Sequence, residues 1–163
     1  MTEQLTAPAS SDSHLRPPEG GSLALQLRRG AHELGQRLIP SLHEHGLSPE
    51  HWQIVSVLLA RPGIGMSELA AAAVLPAATL TRHMDRLVER ALVVRRIDPA
   101  DKRRVVAALS PRGHAIASTI RATEHRIEQE WVARLDPATR AALTGLTDLT
   151  VQLDQPAQSS NAE

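Results

Sequence analysis

Between residues 77 and 104 the chain spaces small, hydroxylated and cationic side chains in a way that suits contact with a polyanion. Ala77, Ala78, Thr79, Thr81, Arg82 and Arg86 alternate with an apolar stripe of Leu80, Met84, Leu87 and Val88, a three- and four-residue rhythm that puts one set on each face of a helix. Alanines at the start would let a backbone approach closely. Thr79, Thr81 and Arg82 could reach phosphates or base edges, the Arg fork matching the paired acceptors of guanine, and Arg86, one turn on, is placed for phosphate. Further along, Lys102, Arg103 and Arg104 fall together, cations suited to a narrow minor groove whose width and potential are read rather than its bases. Asp98 and Asp101 beside them would repel a polyanion, so they are read as partners that orient the Arg side chains through paired hydrogen bonds. Net charge is zero overall, but residues 82–112 hold nine Lys and Arg against four Asp and Glu, +5 against −5 for the remainder. A basic stretch on an acidic scaffold is an electrostatic footprint for nucleic acid.

Other chemistry finds little support. The chain has no Cys, which excludes disulfides, thiolate metal sites and thiol nucleophiles. Neither a G-x-S-x-G elbow nor a phosphate-cradling Gly loop occurs, so no enzymatic activity and no cofactor are expected. Eight His, with His43-Glu44-His45 near His51, invite a zinc reading. Two His two residues apart at a helix end are not a diagnostic spacing, H-E-x-x-H is missing, and no metal site is predicted. No apolar run approaches the ~20 residues of a membrane span, and the first residues lack a basic segment followed by an apolar one; a cytoplasmic location is the expectation.

Elements that would position these residues follow from caps and periodicity. With no Phe or Tyr and only Trp52 and Trp131 as large rings, the core must be Leu, Ala, Val and Ile, a palette for packed helices. Residues 1–21 and 155–163 read as disordered tails. Leu23, Leu27, Ala31, Leu34 and Leu38 form one amphipathic stripe, which Pro40 should kink or end and Gly46 should stop. Ser48-Pro49-Glu50 restarts a helix to Arg61, and Ser67 is expected to cap a short one carrying Leu69, Ala70 and Ala73. A tight connection through Val74-Leu75 leads to a helix over 76–90, the helix-turn-helix pattern. Two β-rich runs, 92–97 and 104–109, then flank a basic tip as a wing. Ser110-Pro111 opens a long helix with Ile116, Ile120, Ile127 and Trp131, and Asp136-Pro137 a last one with Leu143, Leu146, Leu149 and Leu153. The fold class is mainly α with a small β-wing.

Four motifs in order, Leu47-Ser48-Pro49-Glu50-His51-Trp52, Ser67-Glu68-Leu69-Ala70, Ala78 through Leu87, and Asp98 through Arg104 with Leu109-Ser110-Pro111-Arg112-Gly113, resemble the multiple antibiotic resistance regulator (MarR) family. The resemblance covers residues 23–153 and is strongest from 47 to 113. It implies a homodimer joined through helices in 22–46 and 112–154, a winged DNA-binding domain over 47–111, and a small effector that releases double-stranded DNA. The function it suggests is a ligand-responsive repressor on a pseudo-palindromic operator with half-sites ~34–36 Å apart. An aromatic or anionic effector is expected near His51, Trp52 and Val55, where a helix start favours an anion; Trp52 serves equally as a core residue. Ala91 stands where the family usually has Gly, and Pro76-Ala77 replaces commoner polar residues at the start of the helix. A His-rich metal-responsive regulator and a protein-binding winged helix without DNA affinity are the competing readings.

Overall fold

The computed structural model describes residues 22–98 and 100–154, and the chain falls into two compact units, residues 1–33 and 34–163. The tails expected at 1–21 and 155–163 lie outside the described residues. Within the first unit, helix α1 (Leu23–Glu44) opens with the Leu25 amide donating to the Ser22 hydroxyl at 3.3 Å.

In the second unit α1 continues through Pro40 to Glu44, so of the two outcomes expected there, a kink or an end, the proline does not end the helix. Leu38 and Leu42, on either side of the proline, are both buried in the core, and that anchorage outweighs the roughly 3 kcal/mol an interior proline costs. Ser48 caps α2 (Pro49–Ala60): its hydroxyl accepts the His51 amide while His51 Nδ1 accepts the Ser48 amide. Helices α3 (Met66–Ala72) and α4 (Ala77–Glu89) follow, with a short strand β1 (Ile64–Gly65) before α3. Strands β2 (Val93–Ile97) and β3 (Val105–Leu109) form the wing, then come α5 (Pro111–Val132) and α6 (Pro137–Asp154). Ser110 Oγ caps α5 and Asp136 Oδ1 caps α6, each accepting a first-turn amide.

The cap of α3 is Gly65, not Ser67. Ile64 and Gly65 pair with Ala107 and Val106, giving a sheet ordered β1-β3-β2. Pairing keeps the chain extended through Gly65, and Glu68 then accepts the Gly65 amide at 3.3 Å, which lets the helix start at Met66.

Helices α1, α3 and α4 close in one motif, a six-residue hydrogen bond enclosing a four-residue one. Leu47 N donates to Leu42 O, Leu75 N to Ala70 O and Leu92 N to Leu87 O, at 2.8–3.0 Å. The pivot must take positive φ: Gly46 at 63°, Val74 at 53°, Ala91 at 54°. Only glycine does so without the roughly 1–2 kcal/mol cost of crowding a Cβ against the backbone. Val74 is 84% exposed, so no packing offsets its share.

The core of this unit centres on Ile54, Leu58, Leu69, Leu80, Met84, Leu87 and Ile120. Val88, expected in the buried stripe of α4, is 38% exposed, and His83 is buried in its place. The 3.6-residue period centres the inward face on Leu80, Met84 and Leu87 and leaves residue 88 at its margin. Along α5, Ile120 and Ile127 are buried and Ile116 and Trp131 half-buried; the side chains of Leu149 and Leu153 lie outside the described residues. Among the described residues no helix is long and apolar enough to cross a membrane.

Candidate nucleic-acid interface

Helix α4 buries one face and offers the other. Leu80, His83, Met84 and Leu87 are buried, whereas Ala77, Ala78, Thr81, Arg82 and Arg86 are exposed and Thr79 is half-buried. The Thr81 hydroxyl donates to the Ala77 carbonyl at 3.0 Å, which fixes its rotamer and leaves its oxygen lone pairs and methyl outward. Two alanines at the entrance keep the first turn thin, so a duplex could come close to the helix backbone there.

Beyond α4 the wing carries its cations on a tightly turned tip. The Asp98 amide donates to the Arg104 carbonyl and the Arg104 amide to the Asp101 carbonyl, both at 2.9 Å. Asp98 Oδ1 accepts the Ala100 amide and Asp101 Oδ1 the Arg103 amide, at 2.9 and 3.0 Å. Asp98 also reaches a guanidinium, with Oδ2 3.7 Å from Arg104 Nη1; the Asp101 bond is to backbone, so it shapes the loop that carries Arg103. Lys102 and Arg103 are exposed. Arg104 turns back onto the protein, its Nη2 donating to Glu68 Oε2 of α3 at 2.7 Å. A second tie, Arg95 Nη1 to Asp85 Oδ1 at 2.8 Å, joins β2 to α4. The wing is thus tied to both α3 and α4, with Lys102 and Arg103 exposed on its outer face.

The sequence profile of the MarR family matches residues 45–104, the stretch that holds the helix-turn-helix and the wing through its tip. Over that stretch the chain is similar to the MarR family. A Thauera aromatica protein named as the transcriptional regulatory protein for the hcr operon is 29% identical over 149 residues, 90% of each chain. The solved transcriptional regulator PA4135 is 25% identical with a TM-score of 0.72, over 86% of this chain and 100% of its own. NadR, solved in complex with 4-hydroxyphenylacetate, is 24% identical with a TM-score of 0.69, over 86% and 97%. The winged helix is a DNA-binding element, and the role of the chain is transcription regulation.

Two features behind this interface have no counterpart in the local pattern. Arg90, which adds to the basic stretch in the sequence, donates to the carbonyls of Gly46 and, at 2.6 Å, His45. It closes the open end of α1 and braces the foot of the recognition helix. His51 of α2 and His83 of α4 meet edge to face with ring centroids 4.9 Å apart. Both are over nine-tenths buried, and His51 Nε2 and His83 Nδ1 have no hydrogen-bond partner. Burial first, then the neighbouring His83, Arg90 and Arg86, push the His51 imidazole from the ordinary 6.5 down to about 4, against a smaller upward pull from Glu50. His51 is therefore neutral at pH 7, and the ring contact seats α4 on α2.

Among the residues expected near an effector, His51, Trp52 and Val55 all lie in the core of the single chain. Trp52 Nε1–H donates to Glu124 Oε1 of α5 at 2.8 Å, and Arg121 Nη1 donates to Glu124 Oε2 at 2.6 Å. No group of three or more His, Asp or Glu that could hold a metal occurs among the described residues.

Proposed function

We propose that the chain is a homodimeric, ligand-responsive repressor that binds a pseudo-palindromic operator, with α4 in the major groove and the wing tip in the neighbouring minor groove. The observation that carries this reading is the two-faced α4, buried along Leu80, Met84 and Leu87 and exposed along Ala77, Ala78, Thr81, Arg82 and Arg86, beside exposed Lys102 and Arg103. Arg82 is the base-reading cation, Arg86 and the wing cations meet phosphate and groove, and Arg104, tied to Glu68 and Asp98, holds the wing in register. Leu25 and Leu27 lie open in the single chain, which supports a second copy covering the terminal helices. Footprinting on the intergenic DNA upstream of the gene should locate a two-fold site. Arg82→Ala should cost roughly 1–3 kcal/mol there and far less on random DNA; equal losses on both would remove Arg82 from base readout.

For the effector, the NadR complex with 4-hydroxyphenylacetate supports a small aromatic acid. A groove of about 460 Å³, connected to Trp52 through Arg121 and Glu124, has Val57, Leu59 and Ala72 as apolar walls and Arg61 and Arg121 as cations. An acid that drew Arg121 from Glu124 would loosen the bond Glu124 makes to Trp52, and so the packing of His51, Trp52 and Val55 under the winged domain. In a Trp131→Leu background, aromatic acids should change Trp52 emission and bind more weakly once operator is present, since linkage is reciprocal. No spectral response at millimolar acid would discard this site while leaving DNA binding untouched.

A further inference from the structure

The ladder between β2 and β3 carries its core-facing side one rung too far. Directly opposed residues share a face of a sheet, and the pairs Val93 with Leu109, Arg95 with Ala107 and Ile97 with Val105 lie on one face. On that face Val93 and Ala107 are buried in the core, and Arg95 reaches across to Asp85 of α4. The next rung, Ile97 with Val105, is as apolar as the first, yet Ile97 is 64% exposed and Val105 42%. It overhangs the protein on the side of the recognition helix, at the base of the tip that presents Lys102 and Arg103.

We propose that Ile97 and Val105 form an apolar saddle for the deoxyribose edges of the DNA strand that passes between recognition helix and wing tip. The inference rests on the DNA-binding reading above and adds a part of the interface that is not ionic. If α4 occupies the major groove and Arg103 the adjacent minor groove, the backbone dividing the grooves must cross the segment between them, where this rung lies. Backbone there offers two chemistries: phosphates outside, met by exposed Lys102 and Arg103, and sugar C–H edges along the minor-groove wall. The apolar rung flanked by cations complements both, and it withdraws apolar surface from water only when the duplex is bound.

The test compares salt dependence. Ile97→Thr/Val105→Thr keeps β-branched residues in both strands, and because the two side chains are exposed the fold is not at stake. The double variant should bind operator roughly five- to twentyfold more weakly at every salt concentration, from the apolar surface it no longer buries, with the slope of log affinity against log salt unchanged. Arg103→Ala, by contrast, should lower that slope by about one. Ile97→Val should retain most of the affinity. Unchanged affinity in the double variant, or a changed salt slope, would overturn the saddle while wild-type binding kept the DNA reading intact. A shift in sedimentation of the double variant would assign the rung to self-association instead and overturn it too. Failure of the wild type to bind the footprinted DNA would remove the reading on which the saddle rests, and the saddle with it.

Discussion

Gly113→Ala should lower the melting temperature by roughly 10 °C or more. A Cβ at Gly113 would stand 1.9 Å from the Leu92 carbonyl oxygen and 2.9 Å from its carbon. Both are main-chain atoms with nowhere to go: the same oxygen accepts the Ser110 amide at 3.0 Å, and Leu92 is buried where β2 begins. The first turn of α5 must either lift from the strand or stay unformed, breaking the Ser110 cap with it. A buried backbone clash of this kind belongs with the largest single-residue effects, about 4 kcal/mol and above, and for a domain of this size each kcal/mol moves the midpoint by roughly 2–4 °C. Gly35→Ala is the matched control, since nothing lies within 4 Å of a Cβ there; inside helix α1 it should raise stability by up to ~1 kcal/mol. Melting of Gly113→Ala within 2 °C of the parent would show that α5 is not seated on Leu92 as described.

Acid should weaken the fold through His51. Its pKa is about 4 in the folded chain and 6.5 when unfolded, so above pH 6.5 both states are neutral and the group contributes no pH dependence. As pH falls from 6.5 toward 4 the unfolded chain gains a proton that the folded chain refuses, and stability drops. Below about 4 both states carry it and the loss levels off. The gap corresponds to on the order of 3 kcal/mol, most of it readable as a falling urea midpoint between pH 7 and 4.5. His51→Gln retains a Ser-x-x-Gln capping box with Ser48 and removes the ring. It should be somewhat less stable at pH 7, where the edge-to-face contact with His83 is lost, and show a shallower acid slope. Parallel pH profiles for parent and variant would place the acid sensitivity elsewhere.

Where the sequence was legible, a local rule sufficed. The helix starts at Ser48, Ser110 and Asp136 each need a side-chain oxygen within three residues of an orphan amide, and such spacing is visible without a fold. The exposed face of α4 follows from the 3.6-residue period in the same way. Arg104 was legible as a cation but not in its contacts, because Glu68 lies 36 residues away. Ala91 could be noticed as an unusual residue after the recognition helix, yet its φ of 54° emerges only once Leu92 must turn back toward the core.

Residue types and their spacing by themselves determined a mainly helical chain, its caps at Ser48, Ser110 and Asp136, a helix-turn-helix with a basic wing, and the absence of thiol chemistry. Tertiary structure decided the rest, through contacts whose partners are far apart in the chain: Arg90 on His45 across 45 residues and Trp52 on Glu124 across 72. It also decided where local rules lost. Pro40 stays inside α1 because Leu38 and Leu42 are both held in the core, and the chain remains extended through Gly65 because β3 pairs with it. Local preferences amount to a few kcal/mol at most. Burial and sheet pairing act on the same residues at least as strongly, through neighbours that no short stretch of sequence contains.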